Sequence, residues 1–211
     1  MTKKLFVTMT LASAALASCC GGAEKQQEAA MITKQPIEVL DGRFTAEIMH
    51  QLGKVGDPQL SPDGTKILYG VGYTSVKENR SNRELFVMNV DGSDNHQITN
   101  SPKSENNARW INGGSQIAFL RGGSMWIMDA NGQNEKEVKG ISGIDAFEFS
   151  PAEDKIMYIS YIKACTKPTD VYPDLEKSSG RIIKDLMYRH WDHFVEEIPH
   201  TFVASFDGAT L

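Results

Sequence analysis

The sequence predicts an all-β fold: an incomplete β-propeller of about three four-stranded blades, with a partly helical insertion in the third blade. Three observations carry that prediction. One segment pattern recurs along the chain, each copy leads into a strand ending in Asp-Gly or Asn-Gly, and the third such ending arrives late. Radial repetition of small antiparallel sheets produces this kind of pattern.

The recurring segments are "PQLSPDGTKILY" from Pro58, "ARWINGGSQIAF" from Ala108 and "FEFSPAEDKIMY" from Phe147. Leu60, Trp110 and Phe149 align, then Ile67, Ile117 and Ile156, then Tyr69, Phe119 and Tyr158. Side chains alternate along a strand with a period of two, so the shared spacing puts the bulky residues on one face. Between them lies a turn with a mechanism: in Ser61-Pro62-Asp63-Gly64, proline presets φ and Asp-Gly tolerates positive φ. A β-sandwich of irregular hairpins also has short strands and turns, but it does not repeat one aromatic-turn-strand register.

The strands that follow are "RELFVMNVDGS" from Arg83, "GSMWIMDANGQ" from Gly123 and "PHTFVASFDGA" from Pro199. Asp91-Gly92, Asn131-Gly132 and Asp207-Gly208 are predicted as type I′ hairpin turns, which need positive φ at both central residues. The first two turns lie about 40 residues apart, a blade-sized period; the third lags by nearly twice that. The excess falls between Lys163 and Pro199, which predicts an insertion over about 164–199. In its middle, Ile182, Ile183, Leu186, Met187, Trp191, Phe194 and Val195 have helix-like spacing ending at Pro199. The blades then occupy 44–211. Closed propellers have about four to eight blades, so the chain is expected to be the N-terminal piece of a longer protein.

Residues 1–19 predict a signal peptide with a lipobox. Lys3 and Lys4 form a positive start, the run from Leu5 to Ala17 is apolar but shorter than the about 20 residues a membrane-spanning helix needs, and Leu16-Ala17-Ser18-Cys19 closes it. Cys19 is then the lipid-attachment residue, with the membrane as a partner through that anchor. Ordinary secretory cleavage after Ala15-Leu16-Ala17 fits the same residues and would leave a soluble periplasmic protein. Residues 20–43, opening on "GGAEKQQEAA", suit a flexible tether. With only Cys165 in the body, no disulfide framework is implied.

The 211-residue chain carries a formal charge of -5 with 9% aromatic and 23% charged residues, which fits a folded body and gives no basic footprint for nucleic acid. Its most site-like stretch is "LMYRHWDHFVEEIPHTFVASFDG". His190 and His193 are three apart with Asp192 between them, but the pattern lacks the glutamate of H-E-x-x-H and a third ligand, so no metal is assigned. A serine nucleophile would need G-x-S-x-G, which appears nowhere in these residues. No catalytic residue is assigned, and no cofactor is implied.

"SPDGTKILY", "RELFVMNVDGSDNHQIT", "VYPDLEKSSGRIIKDLMYRHWDHF" and "EEIPHTFVASFDG" together resemble the N-terminal propeller of the prolyl oligopeptidase family of serine peptidases, in its bacterial dipeptidyl-peptidase 5 and acylaminoacyl-peptidase-like branch. The resemblance runs from about Phe44 to the end. It implies a cell-envelope peptidase that removes dipeptides from oligopeptide substrates, with the propeller gating a separate α/β-hydrolase domain that carries the Ser, Asp and His. It also implies carboxylates for the substrate's α-ammonium, since charge-assisted hydrogen bonds are the strong ones. Glu196 and Glu197 are the candidates, by analogy with the paired glutamates of related dipeptidyl peptidases; a solvated acidic turn is the plainer reading. A non-catalytic, TolB-like periplasmic propeller that binds protein partners is the alternative function.

Overall fold

The structure is a computed structural model that describes residues 30–183 and 194–208. The predicted signal peptide with Cys19, the first part of the tether, and His190, Trp191, Asp192 and His193 lie outside the described residues. Within 30–43 the backbone makes one 3-10 turn, Leu40–Gly42, and the side chain of Ile32 is buried.

A short helix, α1 (Ala46–Gln51), follows. Thr45 caps it, accepting the Ile48 amide on Oγ1 at 3.4 Å, and Ile48 is buried. Helix α1 packs on the second of four antiparallel strands: β1 (Lys54–Leu60), β2 (Lys66–Ser75), β3 (Arg80–Asn89) and the two-residue β4 (His96–Gln97). They form one sheet in chain order. The second sheet repeats this with β5 (Glu105–Ile111), β6 (Gln116–Arg121), β7 (Ser124–Asp129) and β8 (Lys136–Glu137). The third has β9 (Ile144–Phe149), β10 (Lys155–Lys163) and β11 (Glu197–Ser205), three strands among the described residues where four were predicted. These are consecutive blades of an incomplete β-propeller.

The repeat seen in the sequence is also a repeat of hydrogen bonds. The amides of Val90, Ala130 and Phe206, just after the third strand of each sheet, bond the carbonyls of Thr65, Ser115 and Asp154 at 3.1, 3.0 and 2.9 Å. The hairpin turns differ from the predicted type I′. Gly92 (φ 85), Gly132 (φ 82) and Gly208 (φ 89) have positive φ, but Asp91, Asn131 and Asp207 before them do not. The Gly92 amide instead bonds the Asn89 carbonyl, and the Gly132 amide the Asp129 carbonyl, both at 2.9 Å. This is a type I turn closed by a left-handed glycine, the common three-residue hairpin solution. Asp91 and Asn131 hold it by accepting the amides of Ser93 and Gln133.

The cores lie between sheets. Leu68, Leu85, Val87 and Ile98 of the first sheet and its exit meet Ile117, Phe119 and Met128 of the second. On the other side of the second sheet, Ala118, Leu120, Met125 and Ile127 meet Ile144, Phe147 and Ile156 of the third. Strand β6 is therefore buried on both faces, which explains its unbroken apolar run, Ile117 to Leu120. Trp110 packs against the core between the first two sheets and Phe149 against the core between the second and third. Leu60 is 62% exposed, because among the described residues no sheet stands before the first.

The insertion leaves the third sheet between β10 and β11. The Ala164 amide bonds the Glu196 carbonyl at 2.8 Å across its base, so the excursion closes at Glu196 and Pro199 falls inside β11, opposite Tyr161. Proline tolerates that place because β11 is the edge strand of the described sheet. Within the excursion the described helix is α2 (Pro168–Val171), four residues beginning on proline. The flanks of the predicted helix, 180–183 and 194–196, are not helical, and its centre lies outside the described residues.

Candidate functional site

The first strand of each sheet carries a β-bulge. In β1, Asp57 and Pro58 stand opposite a single residue, between the pairs Gly56–Gly70 and Gln59–Leu68. In β5 the pairs Asn106–Leu120 and Arg109–Ala118 leave Asn107 and Ala108 in the same position. In β9, Asp145 is the extra residue between Ile144 and Ala146. Asp57 (φ 53) and Asn107 (φ 51) adopt the left-handed conformation that short Asx side chains tolerate. Bulges re-aim side chains, and here Asp57, Asn107 and Asp145 all line one cleft of about 860 Å3. Arg80, Lys103 and Arg109 bring the positive charges to it.

Arg109 ties the three first strands together. Its Nη1 donates to both Asp57 oxygens at 3.2 Å, and its Nε donates to Glu148 Oε2 at 2.9 Å. Burial alone would lower its pKa, but the Glu148 hydrogen bond and the Asp57 charge outweigh that and raise it. Uncharged ties run in parallel: Trp110 Nε1 donates to the Gln59 carbonyl at 3.2 Å, and Asn107 Nδ2 to that of Phe147 at 2.8 Å. The cleft wall is thus braced from blade to blade.

Next to the cleft residues in sequence, a buried polar network joins the first two blades. Glu105, fully buried, accepts from Arg121 Nε at 2.6 Å and Ser101 Oγ at 2.8 Å. Thr99 Oγ1 donates to Glu84 Oε2 at 2.7 Å and stands 3.3 Å from Glu105 Oε2. Arg121 also donates to both oxygens of Glu135, at 2.6 and 3.0 Å. Burial, then the adjoining Glu84 carboxyl, push Glu105 up to about 7, while Arg121 and Ser101 pull the other way. Two carboxyls in one dry place share a proton more readily than both ionise.

The predicted site residues lie in the excursion. Glu196, just before β11, faces two cations: Lys167 Nζ stands 3.3 Å from Oε2 and Arg181 Nη2 3.3 Å from Oε1. Arg181 also stacks over the Phe194 ring at 4.2 Å. Glu197 opens β11 opposite Lys163 and is exposed. Successive side chains of extended backbone point to opposite sides, so the two carboxylates do not converge on one point. Both border a shallow recess with Tyr161, Phe194, Ile198 and Pro199. Among the described residues no group of three or more His, Cys, Asp or Glu side chains could hold a metal ion.

Sequence reasoning missed the cleft. Asp57 and Asn107 stand one residue upstream of their aligned segments and Asp145 two residues upstream of its own, so an Asx residue falls within two positions of the start of every copy. That was the available signal, hidden because a bulge breaks the alternation on which strand reading rests.

No family profile matches the chain. It is 40% identical over 210 residues to dipeptidyl-peptidase 5 of Porphyromonas gingivalis, covering 97% of this chain and 29% of the relative. With dipeptidyl-peptidase 5 of Porphyromonas endodontalis it is 37% identical over 167 residues, 77% of this chain and 24% of the relative. Among solved structures, Pyrococcus horikoshii acylaminoacyl peptidase superposes with a TM-score of 0.55 at 17% identity, over 76% of this chain and 24% of that one. That likeness concerns the fold. The chain spans less than a third of the length of these relatives.

Proposed function

From its similarity to one part of the dipeptidyl-peptidase 5 proteins, over 97% and 77% of the chain, we propose that this chain is the propeller portion of a serine peptidase releasing dipeptides from the N-termini of oligopeptides. The 40% identity along 97% of the chain is the observation that carries the reading. In it, the blades gate access to an α/β-hydrolase domain whose serine attacks the peptide carbonyl with histidine as general base. The 211 residues contain no G-x-S-x-G and supply the passage rather than the nucleophile. A passage walled by stiff sheets selects substrates by width, admitting chain ends and short peptides.

Glu196 and Glu197 are the proposed ligands of the substrate's α-ammonium. Glu196 already has two cationic neighbours, so Glu197 has the greater capacity to bind one more. The test is dipeptidyl-reporter hydrolysis. The 211-residue chain alone should give no turnover. In the polypeptide that includes the hydrolase domain, Glu197→Gln should raise KM for free-amine reporters roughly tenfold, the scale of one charge-assisted bond, and Glu196→Gln should raise it less. Turnover by the chain alone overturns the division of labour, and an unchanged KM in both variants removes the glutamates from substrate binding.

The proposed location is the bacterial cell envelope, on a lipid anchor at Cys19 facing the periplasm. The residues Leu16-Ala17-Ser18-Cys19 and the polar stretch after them support it. Cells expressing the protein should incorporate labelled palmitate into it, and Cys19→Ser should abolish the label; a label that survives that change sinks the anchor.

A further inference from the structure

We propose that the cleft at the bulges of β1, β5 and β9 is a carboxylate-binding subsite for short peptides, with Lys103 and Arg80 as its cations. The inference rests on the peptidase reading for its ligand class and on the cleft for everything else. Its about 860 Å3 falls within the range of ligand sites and is enough for a few peptide residues.

The charges in the cleft are of two kinds. Arg109 is spent, since Asp57 and Glu148 clamp it in place. Arg80 is not: its Nη1 donates to the Pro102 carbonyl at 3.1 Å, while Nη2 is buried and finds no hydrogen-bond partner among the described residues. A buried guanidinium nitrogen without an acceptor is a costly arrangement unless something completes it. Lys103 is exposed and makes no ion pair within 4 Å among the described residues, although its charge reaches Glu137, whose carboxylate is held chiefly by Lys139. Its side chain lies across Gly122 so closely that a Cβ there would come within 3.3 Å of Lys103 Cδ. Gly122 thus leaves room for the lysine to lie along the cleft wall.

An exposed ammonium backed by the positive charge of a guanidinium suits a carboxylate. The neighbouring Asp57 and Asp145 set the charge of the preferred ligand, because a dianionic phosphate meets more repulsion from them than a monoanion does. Those same acceptors, with Asn107, offer partners to the amide N–H groups of an extended peptide. The ligand is therefore a peptide presenting one carboxylate, at its C-terminus or on an acidic side chain.

Calorimetric titration of the purified protein with three acetylated tetrapeptides tests this: a free acid, its C-terminal amide, and an amide with an internal aspartate. The free acid should bind about tenfold more tightly than the plain amide, and added salt should narrow the gap. Lys103→Gln, at an exposed position, should erase the preference while leaving thermal unfolding and amide affinity unchanged; Arg80→Lys should reduce it. If the internal aspartate binds like the free acid, the carboxylate is read on side chains; if it binds like the plain amide, the C-terminus is read. Equal binding of acid and amide, no binding of either, a preference that survives Lys103→Gln, or tighter binding of inorganic phosphate overturns the subsite. Reporter hydrolysis is scored separately, in the polypeptide that includes the hydrolase domain. Turnover without acid preference removes the subsite and leaves the peptidase reading, and acid preference without turnover does the reverse.

Discussion

Glu105 is the residue whose chemistry its sequence conceals. In "SPKSENNARW" it reads as one more surface charge, yet it is fully buried beside Glu84 with Arg121 on its other side. Only the approach of two blades makes it so, and single-strand patterning carries no trace of that. Its pKa is pushed up to about 7 by burial, then by Glu84. The folded protein therefore keeps a proton that the unfolded chain has released above about 4.5. Stability from this group is fully present below that lower pKa and is lost as pH rises toward 7. The loss is on the order of 3 kcal/mol at most. Denaturant titrations of the protein and Glu105→Gln from pH 4.5 to 8 should show the protein losing stability relative to the variant across that window. A constant or widening advantage of the protein as pH rises contradicts the raised pKa of Glu105.

At the scale of the element, the first sheet shows why a glycine sits inside "KILYGVGY". Arg83 of β3 reaches across β2 at Gly70 to donate from Nη2 to the Gly56 carbonyl of β1 at 2.6 Å, and a Cβ at Gly70 would lie 2.2 Å from Arg83 Nε. Gly70→Ala should therefore dislodge this brace and cost about 1–3 kcal/mol, the range for overpacking, although alanine suits a strand no worse than glycine. The companion Gly70→Ala/Arg83→Ala should recover much of the loss, and chemical denaturation of the two variants compares them. If the double variant is no more stable than Gly70→Ala alone, the clash is not the cause. Strands were legible where side chains alternate or run apolar. The bulges at Asp57, Asn107 and Asp145 were not, and neither was the edge strand holding Pro199: proline there reads as a stop until its unpaired side is known. The insertion was visible as an interruption of the repeat. Its helical spacing was a poorer guide, because the described residues of the excursion organise around Lys163, Asp170 and Lys167 instead, with Asp170 accepting the Lys167 amide and pairing with Lys163.

Across the whole molecule, repetition made the architecture readable. Three aligned aromatic and aliphatic positions predicted a series of like sheets, and Trp110 and Phe149 each pack against a core between two neighbouring sheets as members of one series should. Leu60 shows the limit of reading each position from its equivalents: its surroundings depend on what stands before it, a property of place rather than residue type. The cleft follows the same logic one level up. No single copy of the repeat contains it; it exists where three irregularities fall side by side. The outer sheets each keep one wall that faces away from the middle one, with Met157 50% and Val203 68% exposed on the third. In β6 there is no such wall. Ile117 and Phe119 look toward one neighbour while Ala118 and Leu120 look toward the other, so four consecutive codons have no side on which drift is harmless, and a change that suits one partner must be answered by the other.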